Sequence, residues 1–205
     1  MDWASGLLAA GTASASGLNL YATVLTLGLC QRQGWIELPS QWQVLGEFWV
    51  LAVAGVLFLV EFVVDKIPYA DNLWDAVHTF IRVPAGAVLM ATAFAEVDPS
   101  LRVVAGLLGG GLALTTHGAK SSARLAVNTS PEPFSNILLS LAEDGITIAL
   151  LALAASHPWM AAAVLGMVLA VSLLLLYLFF RFTRALFSRL RSWVGRSGRK
   201  SVPAA

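Results

Sequence analysis

The stretch TTHGAKSSARLAVNTSPEPFSNILLSLAED, residues 115–144, lies between long apolar runs and yet carries His117, Lys120, Arg124, Asn128, Glu132, Glu143 and Asp144. A helix bathed in lipid cannot hold that many polar and ionisable groups, because each charge costs about 3 kcal/mol or more at the bilayer centre. These side chains must face protein or water. Ionisable groups kept at membrane depth serve a pathway, a site or an internal ion pair.

The flanking sequence identifies the solvent. Of 205 residues, 58% are hydrophobic and 12% charged, and mean hydropathy is +0.75. A soluble domain carries about 25% charged residues, so the chain reads as an integral membrane protein. Its apolar runs are continuous rather than alternating, which selects helices of about 20 residues over a barrel. Formal net charge is only +1, but seven of the thirteen Lys and Arg lie between Arg181 and Lys200. The single Cys30 sits in an apolar run and reads as a small hydrophobe rather than a nucleophile. Asp2 and the lack of any Lys or Arg before Arg32 argue against a cleaved signal peptide, although Ala13-Ser14-Ala15 mimics a cleavage site.

Six spans are expected. The first covers 3–30, with small residues from Gly11 to Gly17 that let the helix unwind or pack closely. The loop 32–47 places Trp35 and Trp42 seven apart, with Trp49 seven further on, as a segment on the membrane surface. The second span, 48–64, brings Glu61 close to Asp65 on one helical face, and Lys66-Ile67-Pro68 then breaks it. Residues 71–82 read as an amphipathic helix with Asp71, Asp75, His78 and Arg82 on one side, able to lie at the interface or turn inward. A third span, 83–95, has Pro84 and Gly86 at its entry. Its ~13 residues reach about 20 Å at 1.5 Å per residue, so it continues the preceding helix or is re-entrant. The fourth is 101–127, with Gly109, Gly110 and Gly111. Ser130-Pro131 signals a helix start, the fifth span is 134–155, and the sixth is 160–180.

Domain organisation follows: one transmembrane domain over 1–183, with repeat halves 1–97 and 101–183, and a basic, partly disordered tail over 184–205. The repeat rests on residues 16–23 aligning without gaps on 117–124, so that Ser16, Asn19 and Thr23 coincide with His117, Lys120 and Arg124. Three spans per half make the second copy enter from the opposite side, the inverted-repeat plan of many transporters. Small residues at helix contacts offer a plainer explanation. Basic residues gather in cytoplasmic loops, which puts both chain ends in the cytoplasm of a bacterial inner membrane and the tail against anionic lipid headgroups rather than nucleic acid.

The segments SGLNLYATVLTLGL (16–29), EFVVDKIPYADNLWDAVHTFIRVPAGAVL (61–89) and THGAKSSARLAVNTSPEPFSN (116–136) resemble the bacterial membrane family known as domain of unknown function 4126. The likeness covers nearly everything except the basic tail. It implies a compact multi-span inner-membrane protein and brings no activity, substrate or catalytic residue with it.

Function is therefore read from the residues. The leading expectation is a small transporter or channel for an ionic or protonatable solute. His117, Lys120 and Arg124 make a positive face opposed by Glu61, Asp65, Glu143 and Asp144. Ser16, Asn19, Thr23 and Asn128 supply neutral ligands. The plainer alternative for each charge is a structural ion pair. A second expectation is an interfacial enzyme acting on a lipid or isoprenoid phosphate. There Asp71, Asp75 and His78 would hold a hard metal ion, and Arg82 and Lys120 the phosphate. Against it, an Asp/His/Arg stripe is ordinarily a wet helix face, and Ser121 and Ser122 beside His117 read as packing residues. A third is an accessory subunit. No resident cofactor is expected, the metal is left open, and a homo-oligomer is admitted.

Overall fold

The computed structural model describes residues 3–129 and 133–197. The Ser130-Pro131 start signal, Glu132 and the last eight residues of the tail lie outside them. All structure among the described residues is helical: α1 (Trp3–Leu18), α2 (Leu20–Arg32), a 3₁₀ segment (Ser40–Gly46), α3 (Phe48–Val64), α4 (Ala70–Ala93), α5 (Pro99–Val127), α6 (Pro133–Ser156) and α7 (Pro158–Ser197). By length and hydropathy α4, α6 and α7 can each cross a membrane, and the bent pair formed by the 3₁₀ segment and α3 makes a fourth. The chain is a multi-pass membrane protein by these helices and by where its polar groups go. On α4, Leu73, Val77 and Phe80 are exposed while Asp71, Asp75, His78 and Arg82 are buried. That is the reverse of a soluble amphipathic helix, so the outward face suits lipid. The helix has turned inward rather than lying wet at the interface. It also runs unbroken through Pro84, so the third span continues α4.

The first expected span is corrected. The helix stops at Leu18, Asn19 takes extended angles (φ −148°, ψ 101°), and α2 starts afresh with the Asn19 side chain accepting from Ala22 N at 2.9 Å. The Gly11–Gly17 cluster is helical and buried, hence closely packed rather than unwound. The break falls beyond it, at Asn19, where the side chain caps the new helix and the freed Leu18 O is taken up by Arg82 and Lys120. The two limbs form a hairpin. Ala4 and Trp35 line one cavity with Pro158, and Leu8 and Glu37 share another with Phe94 and Glu96. The start of α1 and the end of α2 therefore lie at one end of the bundle, the entry end. With ~16 and ~13 residues at 1.5 Å each, the limbs reach about 20–24 Å, so Asn19 stops inside the bundle.

Around this hairpin α3, α5 and α7 run from the entry end to the far end, and α4 and α6 run back. Trp3 stacks on Trp159 at the start of α7, ring centroids 4.4 Å apart. Since α7 continues 40 residues from there, about 60 Å at 1.5 Å per residue, its last described residues lie at the other end. The expectation that both chain ends share a side rested on a full first crossing, and the hairpin removes it. The segments aligned as a repeat also differ in course: Asn19 breaks its helix, whereas Lys120 is inside α5.

α1 is the core. From Leu8 to Leu18 nearly every residue is buried against α4, α5, α6 and α7. The 3₁₀ segment seals the entry end with Trp42, which is 2% exposed and donates to Leu89 O and Thr92 Oγ1 at 3.2 and 3.1 Å. Trp35 and Trp49 are exposed as a surface segment requires, but Trp42 is not. Asp98 caps α5, accepting from Ser100 Oγ and from Ser100 N at 2.8 Å, and these bonds hold its carboxyl below the usual range. Cys30 is a free, half-buried thiol.

Candidate functional site

From the hairpin tip to the far end, the bundle is filled with charge. Arg82 of α4 and Lys120 and Arg124 of α5 supply the cations. Glu61 and Asp65 come from the end of α3, Asp71 and Asp75 from α4, and Glu143 and Asp144 from α6. All nine are buried. Each spacing puts its members on one helix face: Glu61 with Asp65, Asp71 with Asp75 and Arg82, Lys120 with Arg124.

Lys120 is the hub. Its Nζ lies 3.1 Å from Asp65 Oδ2, 3.3 Å from Glu61 Oε1 and 3.4 Å from Glu143 Oε2. Arg82 reaches Glu61 Oε1 at 2.7 Å and Asp75 Oδ1 at 3.4 Å. Arg124 grips Asp65 through both its carbonyl and its carboxylate at 2.9 Å, pairs with Glu143, and lies 3.5 Å from Asp71 Oδ2. At the far end Asn128 donates to both Asp71 oxygens at 2.9 and 3.1 Å and accepts from Asn136 at 2.9 Å.

The hairpin tip meets this network with both of its broken helix ends. The last carbonyls of α1 have no partner within their own helix. Leu18 O accepts from Lys120 Nζ at 3.0 Å and from Arg82 Nη1 at 3.1 Å. On the other limb, Asn19 caps the start of α2 and donates Nδ2 to Asp144 Oδ1 at 2.9 Å. Cations thus face the negative end of one half-helix, and a carboxylate faces the positive end of the other.

His117 is held neutral by its bonds. Arg82 can only donate, so His117 Nδ1 accepts from its Nη1 at 3.2 Å, and Nε2 donates to Asp75 O at 3.1 Å. His78 donates Nδ1 to Trp74 O at 2.8 Å, stacks on Trp74, and shares a hydrogen bond of 2.9 Å between its Nε2 and the Tyr21 hydroxyl. Tyr21 is also the floor of an apolar groove of about 570 Å³ that opens between α2, α3 and α4 past Val53 and Val88.

The expected site residues largely converge: Asn19, Glu61, Asp65, His117, Lys120, Arg124, Asn128, Glu143 and Asp144 form one cluster. The stripe Asp71, Asp75, His78 and Arg82 belongs to the same cluster and is no wet face. Among the described residues no group of three His, Cys, Asp or Glu is placed to hold a metal ion. Ser16 and Thr23 stay outside the ligand set. Ser16 Oγ donates to Ala13 O at 2.8 Å and Thr23 Oγ1 to Asn19 O at 2.7 Å, so both serve the hairpin itself. Ser122 likewise donates to Gly118 O within α5. Tyr21, Thr79 and Asn136 join the network without having been expected. Asn136 carried a readable signal, lying seven residues before Glu143 on the same helical face.

A family model, that of domain of unknown function 4126, matches residues 7–178. The chain belongs to this family. The match takes in every member of the network and leaves out the end of α7, so the family region is the hairpin with its charged surround. Neither a curated protein nor a solved structure matches the chain.

Proposed function

We propose that the protein is a small transporter or channel for an ionic or protonatable solute in the bacterial inner membrane. The observation that carries this reading is the hairpin tip: a helix broken inside the bundle, its carbonyl end against Lys120 and Arg82 and its capped amide end against Asp144. Secondary transporters build solute and ion sites from such discontinuous helices. A purely structural network has no need of a half-way hairpin. In the arrangement described here the charges pair with one another, so transport requires the tip to withdraw and its bonds to Lys120, Arg82 and Asp144 to open for the solute.

The exposed charge suggests the orientation. At the entry end Glu37, Glu47, Glu96 and Asp98 outnumber Arg32 and Arg102, whereas Lys66 and then Arg181, Arg184 and Arg191 lie toward the far end. The positive-inside rule makes the far end and the tail cytoplasmic, near anionic headgroups. On this reading there are five crossings and one re-entrant hairpin. The inverted-repeat idea keeps α3–α4 and α6–α7, which run in opposite senses with an acidic residue on the first helix of each pair.

The test is ion flux in proteoliposomes. Wild type moves a charged or protonatable solute, while Glu143→Gln, which keeps the shape and removes the partner of Lys120 and Arg124, stops it in protein that still elutes as a folded species. Lys120→Ala stops it too. Undiminished flux in both variants, or none in wild type for any ion offered, overturns the proposal.

A further inference from the structure

We propose that Asp144 is the proton-exchanging group of the network, and that its protonation releases the hairpin tip. The use made of the proton rests on the transport reading, whereas the protonation itself does not.

Six buried carboxylates face three permanent cations in the cluster, and the shortage of positive charge is not shared evenly. Glu61, Asp65, Asp71, Asp75 and Glu143 each lie within ion-pair distance of Arg82, Lys120 or Arg124. Among the described residues Asp144 has no such cation. It is 9% exposed, its Oδ1 accepts only the neutral amide of Asn19, and its Oδ2 has no hydrogen-bond partner. The neighbouring elements do not make up the deficit. Glu61 and Asp65 of α3 and Glu143 beside it are like charges. Lys120 of α5 and Lys66, in the turn after α3, act on Asp144 only from beyond ion-pair distance: Lys120 is engaged with other carboxylates, and Lys66 is bonded to Phe62 O and Ser140 Oγ. Between Pro158 and Phe180, α7 carries no charged residue.

A buried carboxylate without a cation in contact is relieved most simply by taking a proton. The α2 start and the Asn19 amide pull the other way, because both favour the anion. Asp144 is therefore set between two states. As an anion it holds the tip through a charge-assisted bond. A proton supplied by water, which reaches the buried Oδ2 only when the bundle opens, gives the neutral acid, weakens that bond, and frees Asn19. Loss of the proton to water restores the anion.

The experiment is infrared difference spectroscopy between alkaline and acid buffer on the full-length protein in lipid nanodiscs, with ¹³C-labelled aspartate to separate Asp from Glu. Wild type gains an aspartic acid C=O band on acidification. Asp144→Asn loses that band, and Asp144→Glu moves it out of the labelled set. The unchanged band in either variant overturns the proposal, as does a sodium-dependent thermal protection that vanishes in Asp144→Asn with no protonation band in wild type. The two readings separate cleanly. The band without any flux in wild type leaves Asp144 as a proton site and ends the transport reading. Flux with a band indifferent to residue 144 does the reverse.

Discussion

Asn19 does two jobs with one amide: its oxygen caps α2 and its nitrogen holds Asp144. Removing both in Asn19→Ala leaves a helix start unsatisfied and a carboxylate without its donor. We expect a loss of about 1–3 kcal/mol, read as a lower unfolding temperature in detergent. Asn19→Ser keeps a capping oxygen and recovers part of it. Residues of this kind were only half legible. Asn19 stood out as an amide in an apolar run, yet nothing local favoured it over Gly11 or Gly17 as the place where the helix stops. A break depends on what satisfies the freed carbonyls, and Arg82 and Lys120 reach Leu18 O from 64 and 102 residues away. Charged residues were legible for the opposite reason. Hydrocarbon excludes them wherever they occur, so Glu61, Lys120 and Glu143 had to turn inward whatever the topology. Ser16 and Thr23 show the limit of that logic, since a hydroxyl can satisfy itself on its own helix and need join nothing.

At the scale of elements, α4 and α5 hold the cluster together, and they approach through glycine. A Cβ on Gly109 would stand 2.5 Å from Gly86 O and from Met90 Cβ, and one on Gly17 would run into Ala113 O and Thr116 Oγ1. Both contacts include backbone that cannot swing aside. Gly109→Ala should therefore part α4 from α5 and cost about 1–3 kcal/mol. Gly111→Ala, which meets nothing within 4 Å, should stay within about 1 kcal/mol of wild type or gain stability. Thermal unfolding of the two variants side by side tests this. The run of three glycines announced close packing but not which of them makes it, because that depends on the rotation of α5 against its neighbour. The continuous α4 was likewise ambiguous: with Pro84 and Gly86 at its entry the third span could continue the preceding helix or be re-entrant, and the structure absorbs both residues within one helix.

For the whole molecule, the proposed course of five crossings and a re-entrant hairpin makes the count odd, and so puts the start of α1 and the end of α7 on opposite sides of the membrane. In a Cys30→Ser background, Ser100→Cys at the entry end and Ser188→Cys on α7 should react with an impermeant maleimide from opposite faces of the membrane. Labelling of both from the same face would refute the five-crossing course. Hydropathy alone could not have settled this, since 3–30 is long and apolar enough for one crossing and also for two half-crossings. What distinguishes them is burial, because α1 touches protein on every side from Leu8 to Leu18. That enclosure bears on how the molecule is made. α1 precedes its partners in the chain and yet cannot be seated until α4 to α7 have been laid down around its site, so assembly must hold that limb in waiting and close the bundle on it last.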